Sequence, residues 1–195
     1  MTKITIIAFA IMLLNACKKD MSSDTMISEE VASKTNAEKE KISVPMKVVL
    51  YSSANPASPA LTCTMPGVPF GIANSGYFLH GTATHVGLVN SETSIGIDGF
   101  CNLSATTFIL STTTSGEIVA ADGSKITYTG NDEIDLNNII FQGATTGTIT
   151  GLWTITGGTG RFDGASGSFQ INGIVDLTAA GGPAFSITGE GTITY

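Results

Sequence analysis

The sequence predicts an all-β domain, a closed antiparallel β-barrel of about eight strands, placed behind N-terminal segments of a different character. Three observations carry this. Apolar and polar residues alternate with period 2 through residues 44–195, the spacing of strands with one buried and one wet face. Turn signals divide that pattern into roughly eight to ten short segments, as in barrels and sandwiches. The alternation also runs to the final residue, Tyr195. A terminal strand of that length is an aggregation edge unless it is paired, and closure removes the edge. Only 13% of residues are charged and all 23 glycines lie at or after Gly67, which argues against a coiled coil or a charged helical bundle.

The N-terminal segments come first in the chain. Lys3 is the only charge ahead of the apolar run Ile4–Leu14, which is too short to span a bilayer. Leu14-Asn15-Ala16-Cys17 follows and resembles a bacterial lipobox, with Asn15 in the tolerant position. That resemblance implies a signal peptide over 1–16 and acylation of Cys17, with three acyl chains anchoring stably where one is marginal. The residue after the cysteine is Lys18 rather than Asp, which favours the bacterial outer membrane, on its periplasmic face or at the cell surface. Residues 17–43 read as a lipid-anchored flexible tether without Gly, Pro or aromatics. Residues 1–43 carry 6 Lys and 6 acidic groups and are neutral. The domain, residues 44–195, therefore carries the whole net charge of −7, which disfavours nucleic acid as a partner.

Within the domain the expected strands are 45–51, 76–80, 83–90, 104–111 and 134–141. A hairpin at Ala121-Asp122-Gly123-Ser124 should pair Val119 with Ile126 and Glu117 with Tyr128. The last three strands are the clearest. Their odd positions, Ile149, Trp153, Ile155, Phe169, Ile171, Val175, Leu177, Phe185, Ile187 and Ile193, should face inward, and Gly151, Gly173, Gly189 and Gly191 share that face. A transmembrane barrel has the same period, but the tether and the mixed polarity of the strands favour a soluble one.

Between two of these strands lies Thr156-Gly157-Gly158-Thr159-Gly160-Arg161-Phe162-Asp163-Gly164-Ala165-Ser166-Gly167. This run resembles the allene oxide cyclase and dirigent barrels, most closely bacterial members of that superfamily. Ala120–Lys125, Gly81–Gly87 and Gly189–Ile193 resemble stretches of the same group. The likeness spans about residues 80–195 and implies an eight-stranded antiparallel barrel with a filled or ligand-sized interior. Its matched residues form a turn, so the family's cyclisation chemistry is not carried over. A structural reading makes Gly157, Gly158, Gly160, Arg161, Phe162, Gly164 and Gly167 a turn motif. In it the chain's only Arg would fasten turn carbonyls or a carboxylate such as Asp163 or Asp176, with Phe162 plugging the barrel. A dinucleotide loop would need a third glycine where Asp163 stands and then a helix, so no nucleotide is expected.

Other chemistry-bearing residues are sparse. His80 and His85 would face opposite sides of one strand, and no metal or other cofactor is expected. Asp132-Glu133-Ile134-Asp135 lacks the spacing of a Ca²⁺ loop and reads as a solvated hairpin end. Cys63 and Cys101 either form a disulfide or stand as two separate core thiols. No nucleophile and base can be paired from sequence, and catalytic residues stay unassigned. The leading reading is a lipid-anchored cell-envelope protein, a binding or structural barrel displayed from the membrane, with a small apolar or glycan ligand as candidate partner. The alternative is a cyclase- or isomerase-type enzyme working on a small apolar substrate in the barrel interior. An acidic side chain inside the barrel would favour the alternative.

Overall fold

The computed structural model describes residues 41–63, 70–72 (backbone only) and 75–195. The signal peptide, Cys17 and almost all of the tether lie outside the described residues. The strands are β1 (Ser43–Ala54), β2 (Leu61–Cys63), β3 (Phe70–Ile72), β4 (Gly76–Ala83), β5 (Gly87–Val89), β6 (Ile95–Leu103), β7 (Ile109–Val119), β8 (Lys125–Asp135), β9 (Thr146–Thr159), β10 (Ser166–Asp176) and β11 (Ala184–Thr194). One short helix, α1 (Asn137–Gln142), and a 3₁₀ turn, Gly160–Phe162, complete the described residues.

The main sheet runs β1-β11-β10-β9-β8-β7-β6-β4, and β4 pairs with β1 again. Every pairing is antiparallel, so eight strands close a barrel. The final strand is an interior member of that ring, with β1 on one side and β10 on the other, which answers the edge problem posed by its length. The short β5 extends β4, and β2–β3 is a separate hairpin. The ladder begins at Ser43, and Ile42 exchanges backbone hydrogen bonds with Tyr195, so order reaches into the last residues assigned to the tether.

Inward residues form continuous rows across the ladder. One runs Asp98, Thr114, Gly130, Trp153, Phe169, Gly191, Met46. Another runs Cys101, Thr112, Asp132, Gly151, Ile171, Gly189, Val48. Large side chains stand opposite glycines on the neighbouring strand, as Tyr77 on Gly96, Tyr128 on Gly116, Trp153 on Gly130 and Phe169 on Gly191. A Cβ at Gly116 would sit 2.7 Å from the Tyr128 hydroxyl, and one at Gly130 2.5 Å from the Trp153 ring. The glycines are notches into which rings lean, and this lets a narrow barrel hold four large rings. Trp153, Tyr128, Phe169, Ile171 and Ile187 are each at most 1% exposed.

The inward set expected for the last three strands is buried, except that Leu177 and Phe185 are only partly so and pack against the core. Elsewhere local chemistry overrode the pattern. Strand 134–141 is replaced by the end of β8 and by α1. Asp135 accepts hydrogen bonds from the Asn137 backbone and side chain and turns the chain. Segment 104–111 begins as a turn, and the strand missed by the pattern, β6, precedes it. The 120–124 hairpin pairs Ile118 with Ile126 and Gly116 with Tyr128, one residue off the expected register. The cause is Gly123 at φ +81° in a loop closed by Ala120 N–H to Ser124 O and Gly123 N–H to Ala120 O.

Candidate functional site

The barrel has two unlike ends. The lower end holds the entry of β1, the 120–124 hairpin and the 3₁₀ turn. There Phe162 is completely buried and plugs the barrel, with its ring edge-on to Tyr195. The Arg161 Nη1 pairs with Asp122 Oδ2 at 2.6 Å, Nη2 donates to the Val86 carbonyl at 2.9 Å, and the guanidinium lies over the Phe162 ring. The carboxylate partner is thus Asp122 of the hairpin. Asp163 and Asp176 do not meet Arg161; Asp176 instead accepts bonds from Thr178 in its own turn. Gly157 and Gly158 belong to β9, where a Cβ on Gly158 would press on the Phe162 carbonyl. Gly160, Gly164 and Gly167 hold positive φ, and the tight turn depends on that at Gly160, φ +65°.

The upper end carries the β2–β3 hairpin, the last residues of β1 and β10, and the first residues of β11. Cys63 of β2 is bonded to Cys101 of β6, with Cα atoms 4.7 Å apart. Just below lies a polar cluster that the sequence did not bring together, although Asp132 was among its candidates. Strand parity places it: β8 turns Ile126, Tyr128, Gly130, Asp132 and Ile134 inward in alternation. On β6 a bulge between Asp98 and Phe100 inserts one residue, so that Asp98 and Cys101 both face inside.

Asp132 is 5% exposed, and its Oδ1 accepts a 2.9 Å hydrogen bond from Trp153 Nε1. Asp98 is partly buried and bonded to Thr114, and its backbone N–H donates to Ser75 O. Thr114 also bonds the Tyr77 hydroxyl, which lies 3.5 Å from that of Tyr128. Burial pushes the Asp98 carboxyl up to about 7, helped by the Asp132 charge and opposed by the Thr114 bond. Burial likewise raises Asp132 to about 6 against the Trp153 bond. Both phenols are raised, chiefly by burial, and stay neutral. The Tyr128 ring stacks on Trp153 at 4.3 Å, and Phe185 meets Tyr77 edge-on at 5.0 Å.

The Thr112 hydroxyl and the second oxygen of Asp132 make no hydrogen bond among the described residues. No side-chain polar atom of the described residues is both sealed and unpartnered. Both residues are 5% exposed, so these atoms keep at most a slight contact with solvent. The cluster combines two carboxyls, free hydroxyl capacity and aromatic faces, which can hold a polar group on an otherwise apolar molecule.

The remaining sequence candidates lie apart from it. His80 stacks on Tyr51 on the outer wall, and His85 sits in a turn with its Nε2 3.1 Å from the Pro45 carbonyl. Asp132 departs from the expectation of a solvated hairpin end, because it stands on the inward parity of β8 while Glu133 and Asp135 share the outward one. The signal for the pair was present as acids at inward positions beside glycines, but it could be read only once strand register was known.

No protein family and no curated protein matches the chain. Among solved structures it is similar to the pterocarpan synthase dirigent protein, at 15% identity and a TM-score of 0.37, over 80% of this chain and 87% of that one.

Proposed function

We propose that this chain is a lipid-anchored cell-envelope protein whose barrel binds a small, largely apolar molecule at its upper end. One observation carries the binding reading: the interior around Trp153 and Phe169 is apolar and aromatic, yet it holds two carboxyls, Asp98 and Asp132, that no cation among the described residues meets. A barrel built only as a spacer gains nothing from buried carboxyls, which cost stability unless fully satisfied. The anchor reading rests on Leu14-Asn15-Ala16-Cys17. The two agree, since β1 enters at the lower end and the cluster lies toward the other.

Two measurements test this. Mass spectrometry of the native protein should show an acylated Cys17 at the N-terminus, and an intact Met1 would refute the anchor. The chain has one tryptophan, so its fluorescence reports on the site. Titration with small aromatic alcohols, amines and acids should give a saturable change for at least one compound. A flat response throughout would leave a packed structural barrel instead.

The buried acid pair favours a second reading, an isomerase or cyclase that protonates its ligand. Asp98 and Asp132 are poised near neutrality, where a carboxyl can both give and take a proton. Recovering the bound compound separates the two readings: unchanged material means binding, and an isomer of equal mass means turnover.

A further inference from the structure

We infer that the Cys63–Cys101 bond is the latch of the barrel: oxidation of these two thiols fastens the β4–β6 seam, and without the bond this seam opens on its own while the other ladders hold. The inference is independent of what the barrel binds.

Topology singles out the seam. Around the ring, the other ladders are each seven to eleven residue pairs long. The ladder of β4 with β6 joins only Gly76, Tyr77 and Phe78 to Ile97, Gly96 and Ile95. Two backbone bonds flank it, Leu79 N–H to Ser94 O at 2.9 Å and Asp98 N–H to Ser75 O at 2.8 Å. Beyond Asp98, β6 bulges and runs on to Leu103 with β7 as its one ladder partner among the described residues. Tyr77 adds a side-chain tie, lying over Gly96 with its hydroxyl bonded to Thr114 of β7. A closed ring opens where the fewest interactions must break together, and that place is the β4–β6 seam.

The bridge crosses this seam. Its Cys63 end moves with β1 and β4, because the connection leaving β1 is bonded to the start of β4. Asn55 N–H donates to Gly76 O, Ser75 N–H to Pro59 O, and Gly76 N–H to Ser58 Oγ. Its Cys101 end stands on β6, past Ile97, where the short ladder stops. The bond therefore supplies covalently the closure that hydrogen bonding leaves thin. In forming it each thiol gives up one electron and one proton, and a disulfide oxidant takes both pairs and leaves as a dithiol. Cys63 and Cys101 are 1% and 2% exposed, so a reductant reaches the bond only after the seam has opened. In an oxidising compartment such as the envelope the barrel is thus fastened once and stays fastened.

The test is native-state hydrogen exchange on the purified protein, oxidised and after refolding in excess dithiothreitol. The reporters are the Leu79 and Asp98 amides, which bond across the seam, read against the ladder amides of β9, β10 and β11. Loss of a cross-link destabilises the whole domain and speeds every amide. The latch requires more: on reduction the seam amides should gain at least about tenfold in rate over the others. Cys63→Ala/Cys101→Ala replaces the reduced chain if that does not refold. Equal acceleration of both sets, or none, would overturn the inference. Loss of the whole fold in both bond-free forms, shown by circular dichroism, would overturn it too, because β7 to β11 must survive the opening.

Discussion

Gly130→Ala is the sharpest probe of how this barrel is packed. In an ordinary strand, Gly to Ala stabilises by about 0.5–1 kcal/mol, because glycine loses more backbone freedom on folding. Here the added Cβ would lie 2.5 Å from Trp153 Cδ1, 2.7 Å from Thr114 Cγ2 and 2.8 Å from Trp153 Nε1. Carbon atoms prefer about 3.5–4.0 Å, so the ring must shift by about 1 Å. It has nowhere to go, since Tyr128 stacks on it at 4.3 Å and its Nε1 is bonded to Asp132. Overpacking of this kind costs about 1–3 kcal/mol. Trp153→Ala alone should cost about 3–5 kcal/mol. In that background the methyl enters vacated space, and Gly130→Ala should become neutral or mildly stabilising. The double-mutant cycle therefore predicts a favourable coupling of about 2–3 kcal/mol between the two substitutions. Urea melts followed by far-ultraviolet circular dichroism measure it, because the only tryptophan is lost in half the cycle. If Gly130→Ala costs the same with and without the indole, the glycine is not a notch for the ring.

The other predictions concern the two ends and the acid pair. Arg161→Ala loses a half-exposed ion pair, a bond to the Val86 carbonyl and packing on Phe162, together about 1–2 kcal/mol. Calorimetry should show the melting temperature falling by several degrees with ligand binding intact, and an unchanged melting temperature would refute the fastener reading. The Cys63–Cys101 bridge, 38 residues apart, restricts the unfolded chain and should add about 4 kcal/mol, so reduction lowers the urea midpoint. Two reactive thiols in unreduced, denatured protein would exclude the bond. Asp98 and Asp132 have folded pKa values raised above the unfolded ones, so the folded state holds protons that the unfolded state releases. Stability should then be highest near pH 4, fall as pH rises to about 7, and level off above. Asp98→Asn should flatten that slope, and a slope unchanged in the variant would mean another group causes it.

What could be read from the sequence followed physical necessity. The last three strands were legible because a barrel wall has one dry face, and Trp153, Phe169 and Ile187 cannot face water. Closure followed from a strand ending at Tyr195 that needed two neighbours. The 120–124 register was not legible, since a two-residue loop and a bulged loop both suit Asp-Gly, and the choice is one residue. Asp98 and Asp132 stayed hidden for a related reason. A carboxylate on a strand is ordinarily on the wet face, and only the bulge after Asp98 and the run Tyr128-Thr129-Gly130-Asn131-Asp132 reveal the inward parity.

The placement of the acids also explains why the two ends differ. Connections at the lower end are short and bound to one another. Arg161 joins the 160–162 turn to the 120–124 hairpin and the Val86 turn, Ser94 bonds Val119, and Phe162 fills the space between. Connections at the upper end are longer, at 55–75, 104–108, 136–145 and 177–183, and one of them is joined to the wall by the Cys63–Cys101 bridge. Barrels place variable chemistry on long loops over a rigid floor, because loops tolerate change that a packed interior does not. The floor here is the Trp153–Tyr128 stack, and the glycine notches hold it level. Asp98 and Asp132 stand at and just above that floor, beneath the inward Leu103, Leu110 and Ile134. Burial raises both carboxyls toward neutrality, so protonation removes part of the cost of holding two acids inside.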